Sequence, residues 1–192
     1  MAKSVTDPIS VSIIGGSGYT GAELIRLISK HPHFELNQVV ANRNAGKKIQ
    51  DIFPHLRHLN IPDFINFEEM NFDNVDLIFC ALPHATSQEI IVRIPEGKKI
   101  IDLSADFRLE QVEEYEKWYG SKHIAPSLQV EAVYGLTEIY KEKIKEGSLI
   151  ACTGCNSAAT LYPIIPLLYE GVINSNNITI NLVINLKKKG CI

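Results

Sequence analysis

Short, nearly uninterrupted apolar runs alternate along this chain with segments whose apolar positions recur at helical spacing. Ser10-Val11-Ser12-Ile13-Ile14 is a β-branched run ending in glycines and reads as a buried strand. From Thr20 to Lys30, Ala22, Leu24, Ile25, Leu27 and Ile28 fall on one helical face, so a helix follows at once. Leu36 to Ala41 is a second apolar run. Val75-Asp76-Leu77-Ile78-Phe79-Cys80-Ala81-Leu82 reads as a strand buried on both faces and stopped by Pro83. Lys99 to Leu103 and Ser148 to Cys152 read as two more strands. Such strands separated by helical patterns predict an α/β fold of Rossmann type: a mostly parallel sheet with helices on both faces. Asn42 to Met70, rich in His, Asn and Pro, reads as a long surface connection, and Leu109 to Trp118 as a charged, mildly helical segment.

Composition narrows the function classes. The 192 residues are 45% hydrophobic and 21% charged, with a formal net charge of −3. That is a globular composition, too near neutral for an electrostatic nucleic-acid binder. No apolar run reaches the ~18 residues of a membrane span. The polar start Met1-Ala2-Lys3-Ser4-Val5-Thr6-Asp7-Pro8 does not read as a secretory signal. Four cysteines, unevenly spaced, fit a reducing cytoplasm better than a disulfide framework.

The first strand and first helix are joined by Gly15-Gly16-Ser17-Gly18-Tyr19-Thr20-Gly21, in which Gly16, Gly18 and Gly21 have G-x-G-x-x-G spacing. One glycine is needed for the turn, one for close approach of backbone to a pyrophosphate, and one for helix–strand packing. The helix N-terminus adds free N–H groups and a partial positive charge. The reading is a dinucleotide site made by Gly16 to Gly21, against a glycine turn that serves packing alone. An NAD site would place a carboxylate at the end of the second strand. This chain has Ala41-Asn42-Arg43-Asn44 there, with Lys47 and Lys48 behind. Arg43 therefore favours the 2′-phosphate of NADP, the alternative being a solvated loop charge.

A second turn, Cys152-Thr153-Gly154-Cys155-Asn156-Ser157, follows the last strand. With Asn156 or Ser157 as N-cap, Cys155 lies at a helix start, where the dipole favours a nucleophilic thiolate. Pro163 and Pro166 predict that the later part of that helix is irregular. Cys152-x-x-Cys155 also has the spacing of a redox pair, and an inert cysteine is the third reading. One CxxC alone does not supply the four ligands of a structural zinc site, so no metal is expected. Cys80 reads as core, and Cys191 is uninformative.

Taken together, the glycine string through Ala22-Glu23-Leu24, Ala81-Leu82-Pro83-His84, Ile101-Asp102-Leu103-Ser104-Ala105-Asp106-Phe107-Arg108, Tyr134-Gly135-Leu136-Thr137-Glu138 and Gly154-Cys155 resemble the N-acetyl-γ-glutamyl-phosphate reductases of arginine biosynthesis. The resemblance runs in order from about Ser10 to Leu182. It implies an NADP-dependent, cytoplasmic enzyme, a homo-oligomer at full length, acting on a small acyl phosphate. Cys155 matches the nucleophile, which attacks the acyl carbon and expels phosphate to leave a thioester. Hydride from NADPH then yields N-acetyl-L-glutamate 5-semialdehyde. Pro83 and His84 follow a strand's carboxyl end and are expected to line the nicotinamide half. Arg108 and Asn156 are weaker substrate candidates; Arg108 is more readily a structural partner of Asp106.

Two departures qualify this. Gly154-Cys155-Asn156-Ser157 replaces the family's Gly-Cys-Tyr-Pro and looks more like relatives acting on a carrier-linked aminoadipyl phosphate in lysine biosynthesis. The family also continues into a substrate domain bearing an acid/base histidine, whereas the six histidines here (His31, His33, His55, His58, His84, His123) all precede Cys155. The expected organisation is a cofactor domain over 1–149 and the first part of an α+β catalytic domain over 150–192. A truncation or frameshift near Ile184-Asn185-Leu186-Lys187-Lys188-Lys189-Gly190-Cys191-Ile192 is the expected cause. An NADP-binding fragment with little turnover is therefore the alternative to an active reductase.

Overall fold

In a computed structural model, residues 7–183 are described; the expectations for Cys191 and for the tail from Ile184 lie outside them. The chain divides into two compact units between Thr153 and Gly154. In the first, strands β1 (Ile9–Ile14), β2 (Phe34–Val40), β3 (Phe64–Ile65), β4 (Leu77–Cys80), β5 (Lys99–Asp102), β6 (Val133–Gly135) and β7 (Leu149–Cys152) form one sheet. Its order is β3-β2-β1-β4-β5-β7-β6, and every pairing is parallel. This is the Rossmann-type sheet the apolar runs predict.

Both faces of the sheet are buried because alternate strand residues feed two cores. Val11 and Ile13 of β1 and Val39 of β2 pack with Ile25 and Ile28 of helix α1 (Tyr19–Ile28) on one side. Ile14, Val40, Ile78 and Cys80 pack with Ile91 of helix α3 (Ser87–Ile91) on the other. The charged segment becomes helix α4 (Val112–Tyr119), whose Tyr115 is wholly buried.

The stretch from Asn42 to Met70 is not a surface connection. It contains helix α2 (Ile49–Ile52), three short 3₁₀ turns and the edge strand β3. Its Ile49, Leu56, Phe64, Phe67 and Met70 are core residues. Strand β3 is only two residues long and its neighbours are polar, so periodicity could not show it. The pairing of Val39 with Phe64 draws it in. Strand β6 was equally invisible, and it lies in the string Tyr134-Gly135 noted above only for its resemblance. Two short helices, α5 (Pro126–Glu131) and α6 (Lys141–Glu146), flank it.

The second unit holds helix α7 (Cys155–Tyr169). Its N-cap is Gly154, not Asn156 or Ser157, and no side chain caps it. The helix also continues through Pro163 and Pro166, contrary to the expected irregularity. It ends at Glu170, followed by Gly171 with φ 65°, the left-handed residue that commonly closes a helix.

Candidate active site

The glycine turn is built by the carboxyl ends of β1 and β2. The N–H groups of Gly15 and Gly16 both donate to the carbonyl of Val40 at 2.9 Å. Gly15, not Gly16, takes the left-handed conformation, with φ 88°, and a Cβ there would lie 2.4 Å from the Ala81 carbonyl oxygen. A Cβ on Gly16 would meet Val39 Cγ1 at 2.1 Å. One on Gly21 would meet the Gly16 Cα at 2.6 Å, so Gly21 is what lets α1 lie against the turn.

Gly18 differs from these. It is exposed, its backbone is extended, and its Cβ would find nothing closer than 3.8 Å. The protein itself does not require a glycine at this position; a ligand pressed against the backbone would. Gly18 is also the N-cap of α1, a ten-residue helix without an acidic residue in its first turn. Ser17, Gly18, Tyr19 and Thr20 thus border an open helix N-terminus suited to an anion. The cradle fits a pyrophosphate.

At the end of β2, Asn42 accepts the N–H of Phe67 through Oδ1, which ties the 3₁₀ turn Asn42–Asn44 to the fold. Arg43 in that turn is exposed and makes no ion pair with the described residues. Lys47 Nζ reaches Asn44 Oδ1 at 3.2 Å. The position that would hold a ribose-binding carboxylate thus offers a free guanidinium.

On the opposite side of β1, the loop after β4 carries Pro83 and His84, both exposed. The His84 Nδ1 lies 2.8 Å from Oδ1 of Asp106, which is wholly buried in the loop after β5. The same Oδ1 accepts Ala85 N–H at 2.8 Å and the Tyr115 hydroxyl at 3.2 Å, while Oδ2 accepts Gln88 N–H at 3.1 Å. The His84 ring is tilted against Tyr119 of α4, with centroids 4.3 Å apart. Behind it, Asp102 at the end of β5 accepts hydroxyls from Ser87 and Ser104. Burial, opposed by these bonds, raises the pKa of Asp102.

The expected Arg108–Asp106 pair does not form. Arg108 instead donates through Nε to the Cys152 carbonyl at 2.7 Å and through Nη2 to the Leu103 carbonyl at 2.9 Å. Asp106 was visible in the sequence as an acid between two strands, but its four donors come from three other segments. Neither Gln88 nor Tyr115 has a local signal that would mark it as a partner.

In the second unit, Cys155 occupies the first position of α7 and is exposed; its thiol lies 4.0 Å from Oδ1 of the neighbouring Asn156. Cys80 is buried and Cys152 half-buried, and all three are free thiols. Burial, helped by the nearby Asp102 charge, pushes both the Cys80 and the Cys152 thiol up. Among the described residues no cluster of three or more His, Cys, Asp or Glu side chains is gathered for a metal, and no helix is long and apolar enough to cross a membrane.

Residues 10–147 match the family model of the semialdehyde dehydrogenase NAD-binding domain. The chain is 54% identical over 172 residues to an N-acetyl-gamma-glutamyl-phosphate reductase of Rhodobacter capsulatus, covering 90% of this chain and 50% of that protein. It is 47% identical over 174 residues to one from Paracoccus denitrificans, covering 91% and 51%. The chain therefore spans about half the length of the curated relatives it matches. In three dimensions it is similar to aspartate semialdehyde dehydrogenase with NADP from Candida albicans, with TM-score 0.61 and 21% identity over 85% of this chain and 48% of the other. For aspartate semialdehyde dehydrogenase II of Vibrio cholerae the TM-score is 0.59 and the identity 15%, over 86% and 43%. Likeness at these identities concerns the fold alone.

Proposed function

The chain belongs to the semialdehyde dehydrogenase family through its NAD-binding domain, and from that membership we propose that it is the NADP-binding half, with the nucleophile, of an N-acetyl-γ-glutamyl-phosphate reductase. The observation that carries this reading is the glycine turn, where a Cβ on Gly15, Gly16 or Gly21 would collide with the protein's own atoms while one on Gly18 would meet nothing closer than 3.8 Å, which leaves close approach of a ligand as the reason for a glycine there. Gly16 to Gly21 would hold the pyrophosphate, and Arg43 the 2′-phosphate that separates NADP from NAD. Pro83 and His84 would border the nicotinamide. The two reductases at 54% and 47% identity supply the substrate class, an acyl phosphate.

NADP(H), when bound, supplies the hydride. The remaining chemistry is the protein's. Cys155 attacks the acyl carbon, the C–S bond forms, and the C–O bond to phosphate breaks. Covalent capture divides the reduction into two easier steps, release of phosphate and then hydride transfer to a thioester carbonyl held on the protein. Backbone N–H groups at the start of α7 and the Asn156 side chain are suited to the charge that develops on the acyl oxygen. Arg108 has two of its N–H groups engaged by carbonyls and is the weaker substrate contact. An NADP-binding module without turnover is the second reading, since the family match over residues 10–147 is to the cofactor-binding domain.

Fluorescence titration with NADPH and exposure to N-acetylglutamyl phosphate followed by peptide mass mapping test both parts. NADPH binds more tightly than NADH, and Arg43→Ala removes the difference. The acyl adduct maps to Cys155 and is absent from Cys155→Ser. Equal affinity for both dinucleotides overturns the NADP assignment. Binding of NADPH without an adduct leaves the module reading in place of the reductase.

A further inference from the structure

We propose that His84 recognises the carboxamide of the nicotinamide through a fixed Nε2 acceptor, and that Asp106 is the positioning residue that sets this tautomer. The inference rests on the NADP(H) reading above and adds to it a ring contact, its polarity and the residue that enforces it. The first support is placement. Ala81 donates its N–H to Ile14 at 2.7 Å, and its carbonyl closes against Gly15, so the His84 loop leaves the sheet beside the glycine turn. In the order β3-β2-β1-β4-β5 a dinucleotide crosses between β1 and β4. Arg43 lies at the β2 end, on the adenosine side, which leaves the nicotinamide side to the loops after β4 and β5. His84 and Asp106 are in those loops.

The second support is the hydrogen-bond inventory. Both Asp106 oxygens act as acceptors, taking Ala85 N–H, Gln88 N–H and the Tyr115 hydroxyl. A carboxylate in that role has no proton to give, so the 2.8 Å contact to His84 requires the proton on Nδ1. In the neutral ring Nε2 then carries a lone pair. It has no partner among the described residues, and the side chain retains 37% of its exposure. Contact with Tyr119 and with Tyr115, at 4.3 and 5.7 Å between centroids, holds the ring plane. Asp106 is itself fixed from behind, since its N–H donates to Ser104 Oγ and its carbonyl accepts His123 Nε2–H. The arrangement presents an oriented acceptor. The phosphates of the nicotinamide half offer only acceptors, while the carboxamide NH2 is a donor.

The test measures displacement of NADPH from the full chain by three competitors. They are NADP, its 3-acetylpyridine analogue, in which a methyl ketone replaces the carboxamide, and 2′-phospho-ADP-ribose, which lacks the ring. The wild-type protein should prefer NADP over the acetylpyridine analogue by about three- to tenfold, the value of one neutral hydrogen bond. His84→Phe keeps a ring against Tyr119 without a nitrogen. It should lose that preference and leave 2′-phospho-ADP-ribose binding unchanged. Asp106→Ala removes the acceptor that holds the proton on Nδ1, frees the ring to take either tautomer, and should weaken or abolish the preference while leaving 2′-phospho-ADP-ribose binding unchanged. Circular dichroism checks that this buried variant folds, and if it does not, His84→Phe decides alone. Retention of the preference in His84→Phe, or an equal loss for 2′-phospho-ADP-ribose, overturns the proposal. Failure of the wild-type protein to bind NADPH at all overturns the NADP reading itself, a separate and recognisable result.

Discussion

Ala85 adopts φ 66°, a left-handed conformation that costs a residue with a side chain about 1–2 kcal/mol. It persists because its N–H is drawn to Asp106 at 2.8 Å and because it directly follows His84, so the strain is spent on holding the imidazole loop. Ala85→Gly removes the steric cost and adds some freedom to the unfolded chain. We expect a net gain of roughly 0.5–1 kcal/mol in urea denaturation; an unchanged or lower midpoint would show that the turn is not strained. The cysteines give a second prediction at this scale. Only the thiolate alkylates, and burial disfavours it at Cys80 and Cys152, whereas Cys155 is exposed at the first position of α7. Among the three described cysteines, iodoacetamide followed by peptide mapping should modify Cys155 first, Cys152 slowly, and Cys80 only on unfolding. Modification of Cys152 ahead of Cys155 would favour the redox-pair reading over the nucleophile.

The unit made by β1, the glycine turn and α1 separates structural from ligand-related glycines. An alanine methyl at position 21 would be driven into the Gly16 backbone at 2.6 Å, so α1 must move off the strand. Gly21→Ala should cost about 2–3 kcal/mol, the scale of overpacking, and weaken NADPH binding with it. Gly18→Ala meets no protein atom closer than 3.8 Å in an extended backbone open to any residue. Its stability should stay within about 1 kcal/mol of wild type, the loss being that of a poorer N-cap, while NADPH binding falls. Denaturation midpoints beside NADPH titrations distinguish the two, and a Gly18→Ala variant that binds normally would remove the reason for a glycine there.

These elements also mark how far the sequence could be read. Strands β1, β2, β4, β5 and β7 were legible because a parallel sheet covered on both faces demands continuous apolar runs. Strands β3 and β6 were not, because two or three residues carry no period and are recruited by neighbours distant in the chain. Helix α7 was legible as a helix start, but its passage through Pro163 and Pro166 was not. For the candidate site, Gly16, Gly18, Gly21, Arg43 and Cys155 could be picked out from local spacing. The His84–Asp106 contact spans 22 positions and depends on two loops meeting at the sheet's carboxyl edge, which no local pattern encodes.

The pH dependence of folding belongs to the molecule as a whole, and two buried groups pull it in opposite directions. His123 is 2% exposed; Nδ1 accepts the N–H of Ala125, which places the proton on Nε2, and this donates to the Asp106 carbonyl. Burial lowers its pKa below the ordinary 6.5, against the opposing pull of that Asp106 carbonyl bond and of the Asp106 and Glu116 charges. As pH falls through 6.5 the unfolded chain takes up a proton that the folded ring refuses, so stability drops until the folded ring also titrates. Asp102 behaves inversely. Burial raises its pKa above the ordinary 3.8, so its contribution is complete below 3.8 and is lost as pH rises through the folded value. His123→Gln retains an acceptor for Ala125 and a donor for Asp106 but cannot titrate. Urea midpoints between pH 7.5 and 5.5 should therefore fall more steeply for the wild-type protein than for His123→Gln. Parallel slopes would mean that the folded protein protonates His123 as readily as the unfolded chain does, and that the ring beneath Asp106 is not held neutral.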